Sequence, residues 1–202
     1  MESERFNKIE QLKLDLFEYT KTLLISFIVV YFVLRYICIP VQVQGSSMYP
    51  TLEDQSVGIS NKLGYKLRGL SRFDIAIIHV DDADKYLVKR VIGLPGETIS
   101  YHDENLYVNG KVVEEEFLNE DYRKEYGLNF TSDIQEITLG EDEYYCLGDN
   151  RPYSRDSRSY GPFHVEQISS KGVFILFPFR NFGVKSWWEY ESKSYSLVDT
   201  DL

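Results

Sequence analysis

Residues 106–113 read LYVNGKVV, in which two short β-branched and aromatic runs flank an Asn-Gly pair. Asn109 and Gly110 suit the positive φ angles of a type I′ turn, so the stretch predicts a β-hairpin. Comparable apolar or alternating runs, separated by turn residues, recur on both sides of it. They lie at residues 41–44, 57–60, 74–80, 86–92, 98–101, 144–147 and 173–177. Many short strands of this kind predict a mainly β domain.

Length and charge limit the class of protein. The chain has 202 residues, enough for one moderate domain with a small insertion. Its 22 basic and 32 acidic side chains give a net charge of −10. This argues against nucleic acid as a partner, because phosphate binding needs a basic face. We place the insertion at about residues 103–140, where the chain is acidic, and interpret the runs 114–116 and 119–121 as solvent-facing.

Cysteine and histidine offer no cofactor site in the sequence. Cys38 ends an apolar run and Cys146 lies inside a strand-like run, and these unrelated contexts predict two free thiols. The histidines His79, His102 and His164 are scattered without metal-ligand spacing. We therefore expect no metal and no cofactor.

One segment near the N-terminus is apolar on every face. Residues 22–34 carry no charge, Arg35 interrupts, and the run resumes as far as Ile39. A spanning helix needs about 20 apolar residues, so we predict a membrane anchor over residues 22–40 in which Arg35 reaches the far interface and Pro40 ends the helix. A buried soluble helix fits the pattern less well. A cleaved signal peptide would need a small-x-small site, and none follows.

Basic residues predict the orientation of this anchor. Four precede it, none lies between Arg35 and Lys62, and basic flanks stay in the cytoplasm. Residues 1–21 are therefore expected in the cytoplasm and a β-rich domain, residues 41–191, outside the cell. Within that domain, Trp187-Trp188 is expected to close the core or to rest at a membrane interface. A loosely ordered tail follows at residues 192–202.

Two segments combine a serine with a lysine. In residues 45–52, GSSMYPTL, Gly45 allows a turn in which a hydroxyl can approach a substrate carbonyl, although a Ser-Ser turn alone is usually a solvated loop. In residues 86–97, YLVKRVIGLPGE, Lys89 and Arg90 interrupt an apolar strand, and alternation turns one inward and the other outward. Burial would lower the pKa of a lysine, and a neutral amine can take a proton from serine. The alternative is an edge-strand lysine in water.

A third segment, residues 148–161, reads GDNRPYSRDSRSYG and is dense in hydrogen-bonding side chains. It is either a long surface loop or a polar network that supports an active site. In the second case Asp156 pairs with Arg158 or Arg90, and Ser154 orients Lys89.

Together and in this order, the segments resemble the signature boxes of type I signal peptidases. The resemblance implies that Ser47 is the nucleophile and Lys89 the general base. It implies that the Ser47 N–H helps to form an oxyanion hole. The implied supporting or substrate-binding residues are Gly45, Met48, Pro50, Arg90, Ser154, Asp156 and Arg158. The matching stretches are residues 47–52, SMYPTL; 72–75, RFDI; 89–97, KRVIGLPGE; and 148–158, GDNRPYSRDSR.

Some positions depart from the family pattern or indicate a branch of it. Some members carry a serine in the oxyanion hole where this chain has Gly45, and a glycine is common where it has Phe73. Lysine at position 89 resembles the bacterial branch, since endoplasmic-reticulum relatives carry histidine there. The short chain and single anchor resemble Gram-positive members.

The resemblance implies a single-pass, membrane-bound serine endopeptidase that cleaves N-terminal signal peptides from exported precursor proteins. Its partners would be those signal peptides and membrane lipid, and not nucleic acid. One alternative is a catalytically silent relative that acts as a scaffold or chaperone in surface-pilus assembly, against which the presence of Ser47 and Lys89 argues. Another is the self-cleaving SOS repressor type, with which the apolar span and the acidic charge disagree.

Overall fold

The computed structural model describes residues 2–80, 85–127 and 129–185, and side chains from residue 10 onward. The chain forms two compact units, Met1–Cys38 and Ile39–Leu202. Trp187-Trp188 and the predicted tail at residues 192–202 lie outside the described residues.

The first unit is helical. Helix α1 spans Glu2–Phe32 and continues as a π-helical turn over Val33–Ile37. The stretch Glu10–Ile37 is long and apolar enough to cross a membrane, and it is the one such helix among the described residues. Its large apolar side chains are exposed, which suits a lipid environment.

The prediction that Pro40 ends the helix is wrong. The helical part ends at Ile37, and Cys38 is already extended at φ −127° and ψ 154°. Pro40 lies inside the first strand, which is the edge strand of its sheet. An edge strand tolerates proline because the missing N–H need not pair with a neighbour.

The second unit is built from short strands and short helices. Helix α2 spans Lys62–Arg68, α3 spans Glu120–Tyr126 and α4 spans Ser157–Tyr160. The strands are β1 (Cys38–Gln42), β2 (Val57–Asn61), β3 (Ile75–Val80), β4 (Lys85–Gly93), β5 (Thr98–His102), β6 (Asn105–Val108), β7 (Lys111–Val113), β8 (Ile134–Thr138), β9 (Glu143–Leu147), β10 (Phe163–His164), β11 (Ile168–Phe177) and β12 (Gly183–Val184).

These strands form two sheets. The larger has the order β1-β2-β11-β3-β4-β9-β10, with β12 paired to β11, so β4 lies in its interior. The smaller has the order β7-β6-β5-β8. The insertion expected at residues 103–140 supplies β6, β7, α3 and β8, and its sheet also includes β5. The prediction of a mainly β fold behind one apolar helix is confirmed.

The predicted hairpin is also confirmed. Strands β6 and β7 pair as antiparallel neighbours, with Val108 opposite Lys111. Asn109 and Gly110 at the turn have φ angles of 51° and 76°, the left-handed values that the sequence predicts.

Apolar clusters fix the two sheets and one loop. One cluster joins β4 and β9 of the larger sheet to the smaller sheet through residues such as Ile92, Leu147 and Ile99. Another packs Met48 and Leu52 onto β3 and β11. Each of these two loop side chains is 1% exposed. Burial therefore anchors the segment that carries Ser47 on the sheet.

The interpretation of the acidic run 114–116 as solvent-facing is wrong for Glu115. Its side chain is 6% exposed and forms an ion pair with the fully buried Arg151. Arg151 also donates to the Tyr101 hydroxyl at 2.6 Å and to the Thr131 hydroxyl at 3.1 Å. A buried guanidinium needs a counter-charge and hydrogen-bond acceptors; the insertion supplies Glu115 and Thr131, and β5 supplies Tyr101.

Candidate active site

The segment that we call the Ser47 loop, residues 43–56, joins β1 to β2. Gly45 has a φ of 85°, in the region that favours glycine, and its N–H donates to Asp54 Oδ1 at 2.7 Å. Pro50 is half-buried and follows a cis peptide bond. With Met48 buried beside it, the Ser47 hydroxyl is held on an anchored turn.

Lys89 projects from the interior strand β4. It lies opposite Ala76 of β3, and its side chain is almost completely buried. Its Nζ lies 2.6 Å from Ser47 Oγ. The fold thus brings together two side chains that are 42 residues apart in sequence.

Burial changes the protonation of Lys89. Loss of solvation lowers the pKa of its ammonium from 10.5 to about 8, against the opposing charges of Asp156 and Asp149. At pH 7.4 about one-fifth of such amines are neutral, compared with about 0.1% for lysine in water. The fold therefore provides a usable population of neutral amine beside the hydroxyl.

The expectation that only one of Lys89 and Arg90 faces inward is wrong, because both are 3% exposed. Strand β4 is covered on both faces, so alternation buries both side chains. The Arg90 guanidinium lies 4.1 Å from the centre of the Phe117 ring, which belongs to the insertion. It also donates to the carbonyl oxygen of Phe73 at 2.8 Å.

Arg90 forms its ion pair with Asp149. Two hydrogen bonds join the groups, from Nε to Oδ1 at 2.8 Å and from Nη2 to Oδ2 at 2.6 Å. Thr51 donates its hydroxyl to the same carboxylate at 2.6 Å. The Asp149 carboxylate therefore connects β4 to the Ser47 loop.

Asp156 pairs with Arg158, the first of the two partners expected for it. Arg158 donates to both carboxylate oxygens at 2.8 Å, and the Gly148 N–H donates to Oδ2 at 3.0 Å. Burial raises the pKa of the Asp156 carboxyl, but the Arg158 hydrogen bonds and charge outweigh it and hold that pKa below its usual value. Asp156 is therefore a buried, compensated anion near Lys89.

Ser154 lies in the same buried region. Its Oγ makes no hydrogen bond of normal geometry with the described residues, although it is near enough to Asp156 to help lower the pKa of that carboxyl. The expected role of Ser154 in orienting Lys89 stays a prediction.

Gly148 leaves room for the Ser47 loop. A Cβ atom at this position would lie 2.4 Å from the carbonyl oxygen of Ser47 and 2.2 Å from Ser154 Oγ. The next residues use that proximity, since the Asn150 backbone N–H donates to the Ser47 carbonyl oxygen at 3.0 Å. A side chain at Gly148 would push the two loops apart.

Phe73 occupies a strained backbone position. Its φ is 68°, a left-handed value that favours glycine, which gives a physical reason for the glycine expected there from the resemblance. Its ring is buried and lies 4.9 Å from that of Phe117. Packing thus compensates for the backbone strain and supports the ring that covers Arg90.

Sequence reasoning missed several residues of this site. Thr51, Gly148, Asp149 and Asn150 lie inside the quoted segments, but no sequence pattern indicates which atoms they contact. Their polar side chains and the glycine directly after β9 were the available signal.

The arrangement is chemically suited to acyl transfer. It combines an anchored hydroxyl, an adjacent amine that is partly neutral, and the Ser47 N–H, which donates to no group among the described residues. A hydroxyl, a base and a free N–H are the parts that a serine hydrolase needs. No group of three or more His, Cys, Asp or Glu is placed to hold a metal ion within the described part of the chain.

Comparison with known proteins places the chain in a family of peptidases. The family model for signal peptidase, peptidase S26, matches residues 16–177, so the chain belongs to this peptidase family. Signal peptidase IB of Staphylococcus aureus is 34% identical over 181 residues, which cover 85% of this chain and 94% of that relative. Signal peptidase I P of Bacillus subtilis subsp. natto is 34% identical over 177 residues, which cover 86% and 95%. The crystal structure of a signal peptidase I from Enterococcus faecalis V583 has 36% identity and a TM-score of 0.47, covering 50% of this chain and 95% of that one.

The tight approach at Gly148 generates a prediction. Gly148→Ala should lower peptidase activity on the order of 100-fold, because a displacement of about 1 Å in a reacting group costs that much. Gly140→Ala is the matched control, since the three atoms nearest to its new Cβ all belong to the flexible Glu143 side chain, at 3.3 Å or more. Rates of peptide cleavage and thermal midpoints of the full-length variants in detergent test it. Equal activity of the two variants would contradict the tight packing.

Proposed function

We propose that this chain is a membrane-anchored serine endopeptidase that removes signal peptides from exported precursor proteins, with Ser47 as nucleophile and Lys89 as general base. The observation that carries the proposal is the 2.6 Å approach of a largely buried Lys89 amine to the Ser47 hydroxyl. Membership of the signal peptidase family supplies the substrate class. A catalytically silent scaffold would have no use for a lysine whose pKa is lowered to about 8 beside a serine.

In the first half of the reaction, neutral Lys89 accepts the proton of Ser47 Oγ as that oxygen attacks the carbonyl carbon of the scissile bond. The Ser47 N–H donates to the oxyanion that forms. The new ammonium then gives its proton to the departing amine of the mature protein. The signal peptide remains attached to Ser47 as an ester.

In the second half, Lys89 acts again as the base and takes a proton from water, which attacks the ester carbonyl. Collapse of the second tetrahedral intermediate returns the proton to Ser47 and releases the signal peptide. Asp149 and Asp156 favour the ammonium that forms in each half-reaction, while Arg90 and Arg158 keep these carboxylates paired. A fraction of Lys89 can therefore be neutral before the attack, and the ammonium is still stabilised once it forms.

The apolar helix serves this chemistry as an anchor. The substrate is itself joined to a membrane-inserted signal peptide, so a tethered enzyme meets it at a raised effective concentration. An extended substrate would add as a strand beside the site. We propose that residues 1–21 face the cytoplasm and that the β-rich domain faces outward.

The first test of this function is cleavage itself. The full-length chain in detergent should cleave a precursor peptide at its signal-peptide junction, and mass spectrometry of the mature N-terminus identifies the bond. Ser47→Ala and Lys89→Met should each lower kcat by more than about 1,000-fold, with the double variant no worse than either single one. Lys85→Met, which replaces an exposed lysine of the same strand, is the matched control. Substantial cleavage by either dyad variant would refute the mechanism, and an inactive wild-type chain would favour the scaffold.

The lowered pKa of Lys89 predicts the pH dependence. Because the neutral amine is the active form, kcat/KM should rise about tenfold per pH unit below about pH 8 and level off above it. Lys89→Arg should be inactive at every pH, because guanidinium does not deprotonate. Asp156→Asn removes the largest charge that raises the pKa of Lys89. The rise of kcat/KM in this variant should therefore occur at lower pH than in the wild-type enzyme. If kcat/KM of the wild-type enzyme instead rose until near pH 10, Lys89 would be solvated in the working enzyme.

The proposed orientation can be tested in spheroplasts. Epitope tags at the two ends of the chain distinguish the compartments when protease is added outside. The C-terminal tag should be lost early in the digestion, while the N-terminal tag survives until the membrane is broken. The reverse pattern would place the β-rich domain in the cytoplasm.

A further inference from the structure

Helix α3 of the insertion contacts the Ser47 loop through one tyrosine. The Tyr122 ring packs edge-on against Tyr49, two residues after Ser47, with 5.2 Å between ring centroids. On its other side it meets Phe130 edge-on at 5.8 Å. The side chain of Asn119 caps the helix by accepting the Tyr122 N–H at 2.8 Å. The position of Tyr122 is therefore fixed from three directions.

The hydroxyl of Tyr122 holds an amide in place. It donates to Asn150 Oδ1 at 3.0 Å, which leaves the Asn150 NH₂ group to donate to the carbonyl oxygen of Ser46 at 2.9 Å. The Ser46 carbonyl oxygen can only accept, so it requires the NH₂ group on its side, and the Tyr122 hydroxyl donates to the amide oxygen on the other side. The Tyr122 hydroxyl thus holds Asn150 in the orientation that the Ser46 carbonyl requires.

The Ser46 carbonyl belongs to the peptide group that contains the Ser47 N–H. Because a peptide unit is planar, fixing its oxygen also fixes the direction of that N–H. The oxygen accepts a further bond from the Tyr49 N–H at 3.0 Å, so Asn150 is the second of its two donors. Asn150 also holds the next peptide unit through its own N–H to the Ser47 oxygen. The direction of the proposed oxyanion donor therefore depends on Asn150.

We infer that Tyr122 is a positioning residue: through Asn150 it aims the Ser47 N–H at the oxyanion, so that the insertion takes part in setting the catalytic rate. This inference rests on the proposed peptidase function. Loss of one neutral hydrogen bond changes an equilibrium by about three- to tenfold. An effect of that size should appear in kcat rather than in KM, because the oxyanion exists only after attack.

The test compares two tyrosines on one helix. Tyr126 lies one turn after Tyr122 and also packs against Phe130, but its hydroxyl has no hydrogen-bond partner among the described residues. In the full-length enzyme in detergent, Tyr122→Phe should lower kcat about three- to tenfold with KM within about twofold. Tyr126→Phe should retain kcat within about twofold. Equal kcat values for the two variants would overturn the inference.

A double-mutant cycle separates positioning from a general loss of structure. Asn150→Ala removes the amide through which Tyr122 acts, so adding Tyr122→Phe should cause no further loss of kcat. Multiplying effects would show that Tyr122 acts by another route and would overturn the inference. The thermal midpoint of every variant is measured as well. A midpoint well above the assay temperature shows that a loss of kcat does not come from unfolding.

A second readout does not depend on signal-peptide cleavage. Acylation of Ser47 by the small ester p-nitrophenyl acetate, followed by intact mass with Ser47→Ala as the blank, forms the same kind of oxyanion. Its rate should fall in Tyr122→Phe and not in Tyr126→Phe. If the wild-type chain is acylated but does not cleave a precursor, the proposed function fails while the ester rates still decide the role of Tyr122. Unchanged ester rates in Tyr122→Phe would overturn the inference.

Discussion

The buried amine of Lys89 beside the Ser47 hydroxyl is the interaction on which the rest of the site depends. On balance, burial and the nearby charges disfavour the ammonium, relative to the neutral amine, by roughly 3 kcal/mol compared with lysine in water. Such a position requires a strand covered on both faces and a loop held against it. The central place of β4 in its sheet provides the first, and the buried Met48 and Leu52 provide the second.

Electrostatic balance around this amine is as important as its burial. Asp156 and Asp149 are the two largest charges that oppose the lowered pKa of Lys89. Each forms a two-point ion pair with an arginine, whose planar guanidinium fits a carboxylate better than an ammonium would. The arginines limit how strongly the carboxylates favour the ammonium, so the pKa lies within reach of neutral pH.

The sequence predicted the strands because these depend on local patterns, whereas the pairing of Ser47 with Lys89 was implied by the resemblance to type I signal peptidases. The Asn-Gly hairpin and the strand that carries Lys89 follow directly from turn chemistry and apolar runs. Local patterns do not show what packs against the two faces of a strand, so strand alternation wrongly predicts that one of Lys89 and Arg90 faces solvent. For the same reason Glu115 was interpreted as solvated, since its partner Arg151 is 36 residues away. Tertiary partners of this kind are set by sheet order, which the sequence alone does not reveal.

Most of the polar residues around Ser47 and Lys89 are engaged in ion pairs and hydrogen bonds with one another. Arg90 with Asp149 and Asp156 with Arg158 are buried ion pairs, and such pairs seldom stabilise a fold more than apolar side chains of similar size would. What they provide is geometry: Asp149 ties β4 to Thr51, and Asp156 holds the Gly148 N–H, where the chain passes close to Ser47. A charge pair fixes two points at once, whereas an apolar contact can slide. The density of polar residues in residues 148–158 is therefore explained by the need to hold a lysine and a serine, supplied by separate segments, within hydrogen-bond distance.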